Sequence, residues 1–315
     1  MLARLQQLTT LGLLAAAAAW GAHFLQAGKP SWAWVGVLLI LLGYALFLGI
    51  EFVMLAFVNA KDAAPQARVA QLVRAWWGEV VTAPRVFCWR QPFRSAAEPD
   101  FLPADAQGRR GAVLVHGFVC NRGLWNPWMA TLRASQTPFI AVNLEPVFGS
   151  IDDYMRIVEA AVQRIQAVTG LAPVIVAHSM GGLAVRAWLA GQSFDSAVHR
   201  IVTVGTPHRG TWLARFGATQ NGKQMQLNNA WLRQLAARET PQRLARCTCF
   251  YGHCDNIVFP ASTATLPGAD NRHVPGAAHV HMLFQAEVFN EVWRWLTPEA
   301  GDASGEAIAA TALAQ

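Results

Sequence analysis

The sequence predicts an α/β domain, a mostly parallel sheet covered by helices on both faces, preceded by an apolar region suited to a membrane. Three observations carry this reading. From residue 111 onward, short apolar runs alternate with helical stretches, the pattern of a parallel sheet built from βα units. Of the 315 residues, 53% are hydrophobic and only 14% charged, against about 25% charged in an ordinary soluble domain. That deficit excludes a disordered chain, a coiled coil or an acidic tail protein. The apolar excess is concentrated near the N-terminus, where residues 31–50 carry no charge.

Taken in order, residues 31–50 would span about 30 Å as a helix, the thickness of a hydrocarbon core. Trp32 and Trp34 open the segment as interfacial aromatics do. Glu51 marks its far boundary, and the apolar run resumes as far as Val58. Residues 11–27 are weaker, with five consecutive alanines and His23. They have three readings: a first transmembrane helix paired with 31–58, the apolar core of a signal peptide, or an interfacial segment. A cleaved signal followed within a dozen residues by a second span is unusual, so a two-helix hairpin is favoured. The expected organisation is therefore one or two transmembrane helices in a membrane region at 1–60, an amphipathic connector at 61–109, an α/β catalytic domain at 110–298 and a disordered tail at 299–315.

In the connector, Val69, Leu72, Val73, Trp76, Trp77 and Val80 recur at helical period, and prolines 84, 92, 99 and 103 are expected to end regular structure. Strands are expected at 111–116, 139–142, 173–177, 201–204, 247–251 and 272–274. Helices are expected at 151–168, 182–190, 227–237 and 284–296. The tail after Pro298 is rich in Ala and Gly and lacks aromatics, so it is expected to fray.

The net charge is +6, but the positives stand singly and Arg109-Arg110 is the one adjacent basic pair. No phosphate-tracking stripe results, so no nucleic-acid partner is expected. A modestly basic surface beside anionic lipid fits better. Five cysteines exclude a complete disulfide framework. Cys247, Cys249 and Cys254 cluster beside His253, without a second ligand group at finger-like spacing, so no metal is expected. Arg4, Lys61, Arg68 and Arg74 flank the apolar segments on one side of a hairpin, against Lys29 in its loop. The positive-inside rule then places the catalytic domain in the cytoplasm. If 11–27 does not cross, a periplasmic domain remains open.

Chemistry in such folds sits at the carboxyl ends of strands. There the sequence reads Ala177-His178-Ser179-Met180-Gly181-Gly182, between an expected strand and an expected helix. A serine at that turn is pushed out of the sheet top with a helix N-terminus behind it, and the residues two before and two after must be small. His116-Gly117-Phe118 follows the first core strand, where a backbone N–H can join one from the residue after the nucleophile in an oxyanion hole. Those donors would be Phe118 and Met180. An acid and then a histidine should follow the serine in later loops. Asp255 and His279 do so, with His281 as the competitor for His279.

These motifs, with Thr206-Pro207-His208-Arg209-Gly210-Thr211, Asp255-x-Ile257-Val258 and Gly276-x-x-His279, resemble the α/β-hydrolase superfamily. Within it, residues 110–297 resemble small bacterial triacylglycerol lipases and related esterases, with an added N-terminal transmembrane region. The resemblance implies ester hydrolysis through an acyl-enzyme on Ser179, with His279 as base, Asp255 as its orienter and no cofactor. An acyltransferase using the same residues is the alternative, and an inactive membrane-anchored interaction protein is the different-class alternative. His116, Trp125, His178 and His208 are the candidate pocket residues. Leu124, Trp128, Phe148 and Trp212 are further apolar candidates beside Phe118. The implied partners are a lipid or apolar ester and a membrane, of bacterial inner-membrane type, with no obligate protein partner.

Overall fold

A computed structural model describes residues 1–193 and 195–297; the tail expected at 299–315 lies outside the described residues. The N-terminal part holds α1 (Leu2–Gln26), α2 (Pro30–Asn59), α3 (Val69–Pro84) and α4 (Gln91–Phe93). Then come β1 (Ala112–Val115), α5 (Asn126–Ala134), β2 (Phe139–Ala141), α6 (Met155–Thr169), β3 (Val174–His178) and α7 (Met180–Ala190). After them follow β4 (Arg200–Val204), α8 (Gln220–Gln224), α9 (Ala230–Ala236), α10 (Pro241–Leu244) and β5 (Cys247–Tyr251). The last are β6 (Asp270–His273), α11 (His279–Met282) and α12 (Ala286–Leu296).

Among the described residues the strands form one sheet in the order β2-β1-β3-β4-β5-β6, with every pairing parallel. Side chains alternate between its faces. Leu114, Val176, Val202 and Phe250 meet Trp128, Phe289 and Val292 on one face. Val113, Val115, Ile175 and Ile201 meet Val158, Val162, Ile165 and Leu183 on the other. Both faces are covered, which is why the strands read as unbroken apolar runs. β2 and β3 flank β1 on opposite sides, so successive crossovers diverge and leave a crevice at the carboxyl ends of β1 and β3.

The strands fall where the apolar runs place them, except that β6 starts two residues early at Asp270. The helix expected at 227–237 begins only at Ala230, because the Asn229 side chain accepts the Trp231 N–H and caps it.

α1 and α2 are both long and apolar enough to cross a membrane, and only 6% and 11% of their most apolar windows are buried within the protein. The first helix starts at Leu2, well before residue 11. Together they form a hairpin whose open ends rest on the rest of the protein. At one end the Gln6 side chain donates to Gln91 Oε1 (2.8 Å) and that of Gln7 to the Pro92 carbonyl (2.6 Å). At the other, Asn59 donates to the His253 carbonyl and accepts from the Ala261 N–H.

The connector corrects the expectation that Pro84 and Pro92 end regular structure. α3 runs through Pro84 into a π-helical stretch, Arg85–Arg90, and on into α4, which contains Pro92. Pro84 has no N–H to return to Val80. The Val80 carbonyl accepts the Tyr44 hydroxyl of α2 instead, at 2.8 Å. The π turn is the local widening that accommodates the proline. α3 is also apolar on two sides: Ala75 and Val80 are buried, while Val69, Val73 and Trp77 point outward and exposed.

Ile175, fully buried at the centre of the sheet, gauges this core. Ile175→Ala should destabilise the protein by about 2–5 kcal/mol, read as a lowered Tm in detergent.

Candidate active site

Ser179 is the single residue between the end of β3 and the start of α7. Its φ of 55° and ψ of −130° are strained for a residue with a side chain. Neighbouring backbone holds it there. Its N–H donates to the Val204 carbonyl (2.9 Å), and its carbonyl accepts from Thr206 Oγ1 (2.9 Å). The spacing of small residues has a direct steric cause. Ala177 is fully buried, paired with Val115 on one side and Thr203 on the other. A Cβ at Gly181 would lie 2.5 Å from the His116 carbonyl oxygen.

Asp255 is completely buried in the loop after β5. Both carboxylate oxygens lie 2.9 Å from His279 Nδ1, and Oδ1 also accepts from the N–H groups of Ile257 (2.9 Å) and Val258 (2.8 Å). Gly205 makes room for the pair. Its φ is +57°, and a Cβ there would stand 2.9 Å from Asp255 Oδ2 and 3.0 Å from His279 Nδ1. The competing His281 makes no such contact. Its Nε2 meets Gln285 Nε2 at 3.0 Å, and its ring packs against Gly78.

The His279 loop is held from the N-terminal region. Glu79 of α3, buried, accepts from the N–H groups of Val280 (3.1 Å) and His281 (3.0 Å). Asn256 donates to Glu51 of α2 at 2.6 Å, and its Oδ1 accepts the His279 N–H at 3.2 Å. Burial pushes the Glu79 carboxyl above the ordinary carboxylate range, opposed by those two N–H groups. Burial also pushes the His279 imidazole down. The Asp255 carboxylate, with Glu79 and Glu51 beyond it, more than reverses this, so His279 titrates above its ordinary value.

Ser179, His279, His178 and Phe118 line one cavity of about 700 Å³, together with Glu51, Glu79 and residues of the hairpin. The crevice at the β1 and β3 ends is thus roofed by α1, α2 and α3. The Met180 N–H opens α7 directly behind Ser179. The His178 ring lies 4.6 Å from that of His279, and burial holds His178 well below its usual range.

The domain is similar to solved lipases. It superposes on the mature form of Bacillus licheniformis lipase BlEst2 with a TM-score of 0.50 and 18% identity, covering 57% of this chain and 90% of that one. Against Aspergillus fumigatus lipase B the TM-score is 0.53 and the identity 20%, covering 68% and 65% of the two chains. The fold is an α/β-hydrolase fold. Residues 144–266 also match the family model of the PGAP1-like alpha/beta domain. No curated protein matches the chain.

Within this α/β-hydrolase domain three expected pocket residues lie elsewhere. His116 is a buried brace: its Nε2 accepts the Leu144 N–H at 2.9 Å, which leaves Nδ1–H to donate to the Gly117 carbonyl, also at 2.9 Å. Burial pushes it down to about 4, so it stays neutral. Trp125 is fully buried in the core, edge-on to Trp128 at 5.6 Å; Leu124 is buried there too. His208 is enclosed by Thr203 (3.1 Å) and by Arg186, which donates to its carbonyl at 3.0 Å and pairs with buried Glu239. Trp212 stacks on Phe259, and Phe148 packs edge-on against Phe118 at 5.9 Å.

The sequence reading assigned no role to Glu51, Glu79 or Asn256, and carried Thr206 only as part of a motif. Glu51 had a signal: a lone acid inside the apolar run of 31–58 is costly unless it has a partner. Glu79 had none, since its neighbours are more than 200 positions away.

His279 should therefore titrate above about 6.5, the ordinary histidine value, by NMR of the imidazole. Negative neighbours favour the cation, so Glu79→Gln should move that midpoint down.

Proposed function

We propose that the protein is a membrane-anchored serine hydrolase that cleaves lipid or other apolar carboxylic esters. The observation that carries this reading is the convergence of Ser179, in its strained turn, with an Asp255-paired His279 on one largely apolar cavity. The lipase names of the structural neighbours point the same way.

In this mechanism Ser179 Oγ attacks the ester carbonyl carbon while His279 Nε2 takes its proton. Asp255 holds the Nδ1–H and stabilises the imidazolium. The backbone N–H groups of Phe118 and Met180 receive the oxyanion, each donor worth about 3–4 kcal/mol. Collapse of the tetrahedral species expels the alcohol, which takes the proton back from His279 and leaves an acyl-Ser179. Water, deprotonated by the same imidazole, then attacks the acyl carbon and releases the acid. Glu79, Asn256 and Glu51 are positioning residues for the His279 loop. Because the base works neutral and its titration is raised, kcat/KM should rise with pH along a limb centred above about 6.5.

Membrane attachment rests on the outward apolar surface of the hairpin and on Val69, Val73, Trp77 and Trp89, all more than half exposed beside it. The two open ends of the hairpin rest on one side of the protein, one on α4 of the connector and the other on the loop after β5. With Lys61, Arg68 and Arg74 on that side and Lys29 in the loop, the domain is cytoplasmic under the positive-inside rule.

Two experiments test this reading. Ser179→Ala should abolish both p-nitrophenyl ester turnover and fluorophosphonate labelling in a protein that remains folded; persistent labelling would exclude Ser179 as nucleophile. An alkaline phosphatase fusion at Lys29 should be active and one after Thr297 silent. The reverse pattern places the domain on the far side.

A further inference from the structure

The cavity at Ser179 does not stop at the loops of the hydrolase domain. It follows α2 from Glu51 back through Phe47, Tyr44 and Gly43 to Ile40, and reaches Leu14 of α1. Eleven helical positions separate Glu51 from Ile40, about 16 Å at 1.5 Å per residue, roughly half the depth of a hydrocarbon core. Its wall is mostly aliphatic and aromatic over that length. The Tyr44 hydroxyl is already committed to the Val80 carbonyl. Leu14, Leu41 and Phe47 are 52%, 37% and 61% exposed, so the groove shares its open side with the surface that a bilayer would cover.

Such a groove offers an elongated ligand burial of methylenes and almost no hydrogen bonds. A polar head would leave its own groups unpaired there. We propose that it is an acyl-chain site: the chain of a bilayer lipid ester enters sideways between α1 and α2, its carbonyl at Ser179, and the hairpin sets the chain length preferred. The proposal rests on the ester-hydrolase reading above and adds the part of the substrate that the hairpin recognises.

Gly43 makes the inference testable. It lies on the wall eight positions from Glu51, about 12 Å along the helix, and a Cβ built there meets nothing within 4 Å. A larger side chain would therefore project into open groove rather than into packed protein. Gly12 of α1 also has nothing within 4 Å but is not part of the wall, and provides the control.

The experiment measures kcat/KM for p-nitrophenyl butyrate, decanoate and palmitate with the full-length protein in detergent micelles. It compares the wild type, a Gly43→Ala, Val and Phe series, and Gly12→Phe. Fluorophosphonate labelling of Ser179 reports that each variant is folded. The palmitate-to-butyrate ratio should fall stepwise with side-chain size. In Gly43→Phe it should fall about tenfold or more, the loss of roughly two buried methylenes, while Gly12→Phe keeps the wild-type ratio. A ratio unmoved through the Gly43 series in labelled protein, or an equal fall for all three esters, overturns the acyl-chain site. Hydrolysis that survives Ser179→Ala tells instead against the ester-hydrolase mechanism, so the two failures are distinguishable.

Discussion

The arrangement depends on two carboxylates from the N-terminal helices finding their donors on loops at the far end of the sequence. Glu51 and Glu79 are both buried. A buried carboxylate stripped of its partners costs several kcal/mol. Their partners are the Asn256 side chain and the backbone N–H groups of Val280 and His281, the segments on either side of the Asp255–His279 pair. Pulling the hairpin and α3 off the hydrolase domain would break these hydrogen bonds and free the His279 loop together. The N-terminal helices are therefore a structural wall of the site. The apolar packing of Phe52, Leu55 and Ala75 against Cys254, Phe259 and Ala278 adds to the same junction.

The 206–211 stretch works as the second brace. Thr206 fixes the Ser179 carbonyl, and Thr211 Oγ1 donates to the Ile257 carbonyl at 2.5 Å in the Asp255 loop. Between them His208 is locked to Thr203 and Arg186. One short segment thus ties the serine turn to the acid loop, although none of its side chains lines the cavity. The motif lies near the site because it sets distances within it.

What was legible in the sequence follows from how local each signal is. Strands buried on both faces advertise themselves as apolar runs, and the serine turn by its small neighbours. The order Ser179, Asp255, His279 could be read because each residue follows a strand. Aromatic residues beside the oxyanion turn could not be sorted by sequence: Trp125 and Trp128 point into the core, whereas Phe118 faces the cavity. Pro84 misled because its cost is met at a distance, by a tyrosine forty positions earlier. Glu51 reads as the end of a span until Asn256 is brought beside it. Contacts between residues some 200 positions apart leave no periodicity to detect.

That separation also bears on how the molecule is made. During synthesis α1 and α2 emerge first, and Glu51 waits while about two hundred further residues are translated before Asn256 exists to meet it. The serine turn, the acid and the histidine reach their mutual geometry only once the loops beyond β5 pack against α2 and α3. A ribosome-bound fragment ending before β5 holds Ser179 without Asp255 or His279. On this architecture the Ser179, Asp255 and His279 arrangement is complete only once the loops beyond β5 have been made, so the proposed site is assembled late in synthesis.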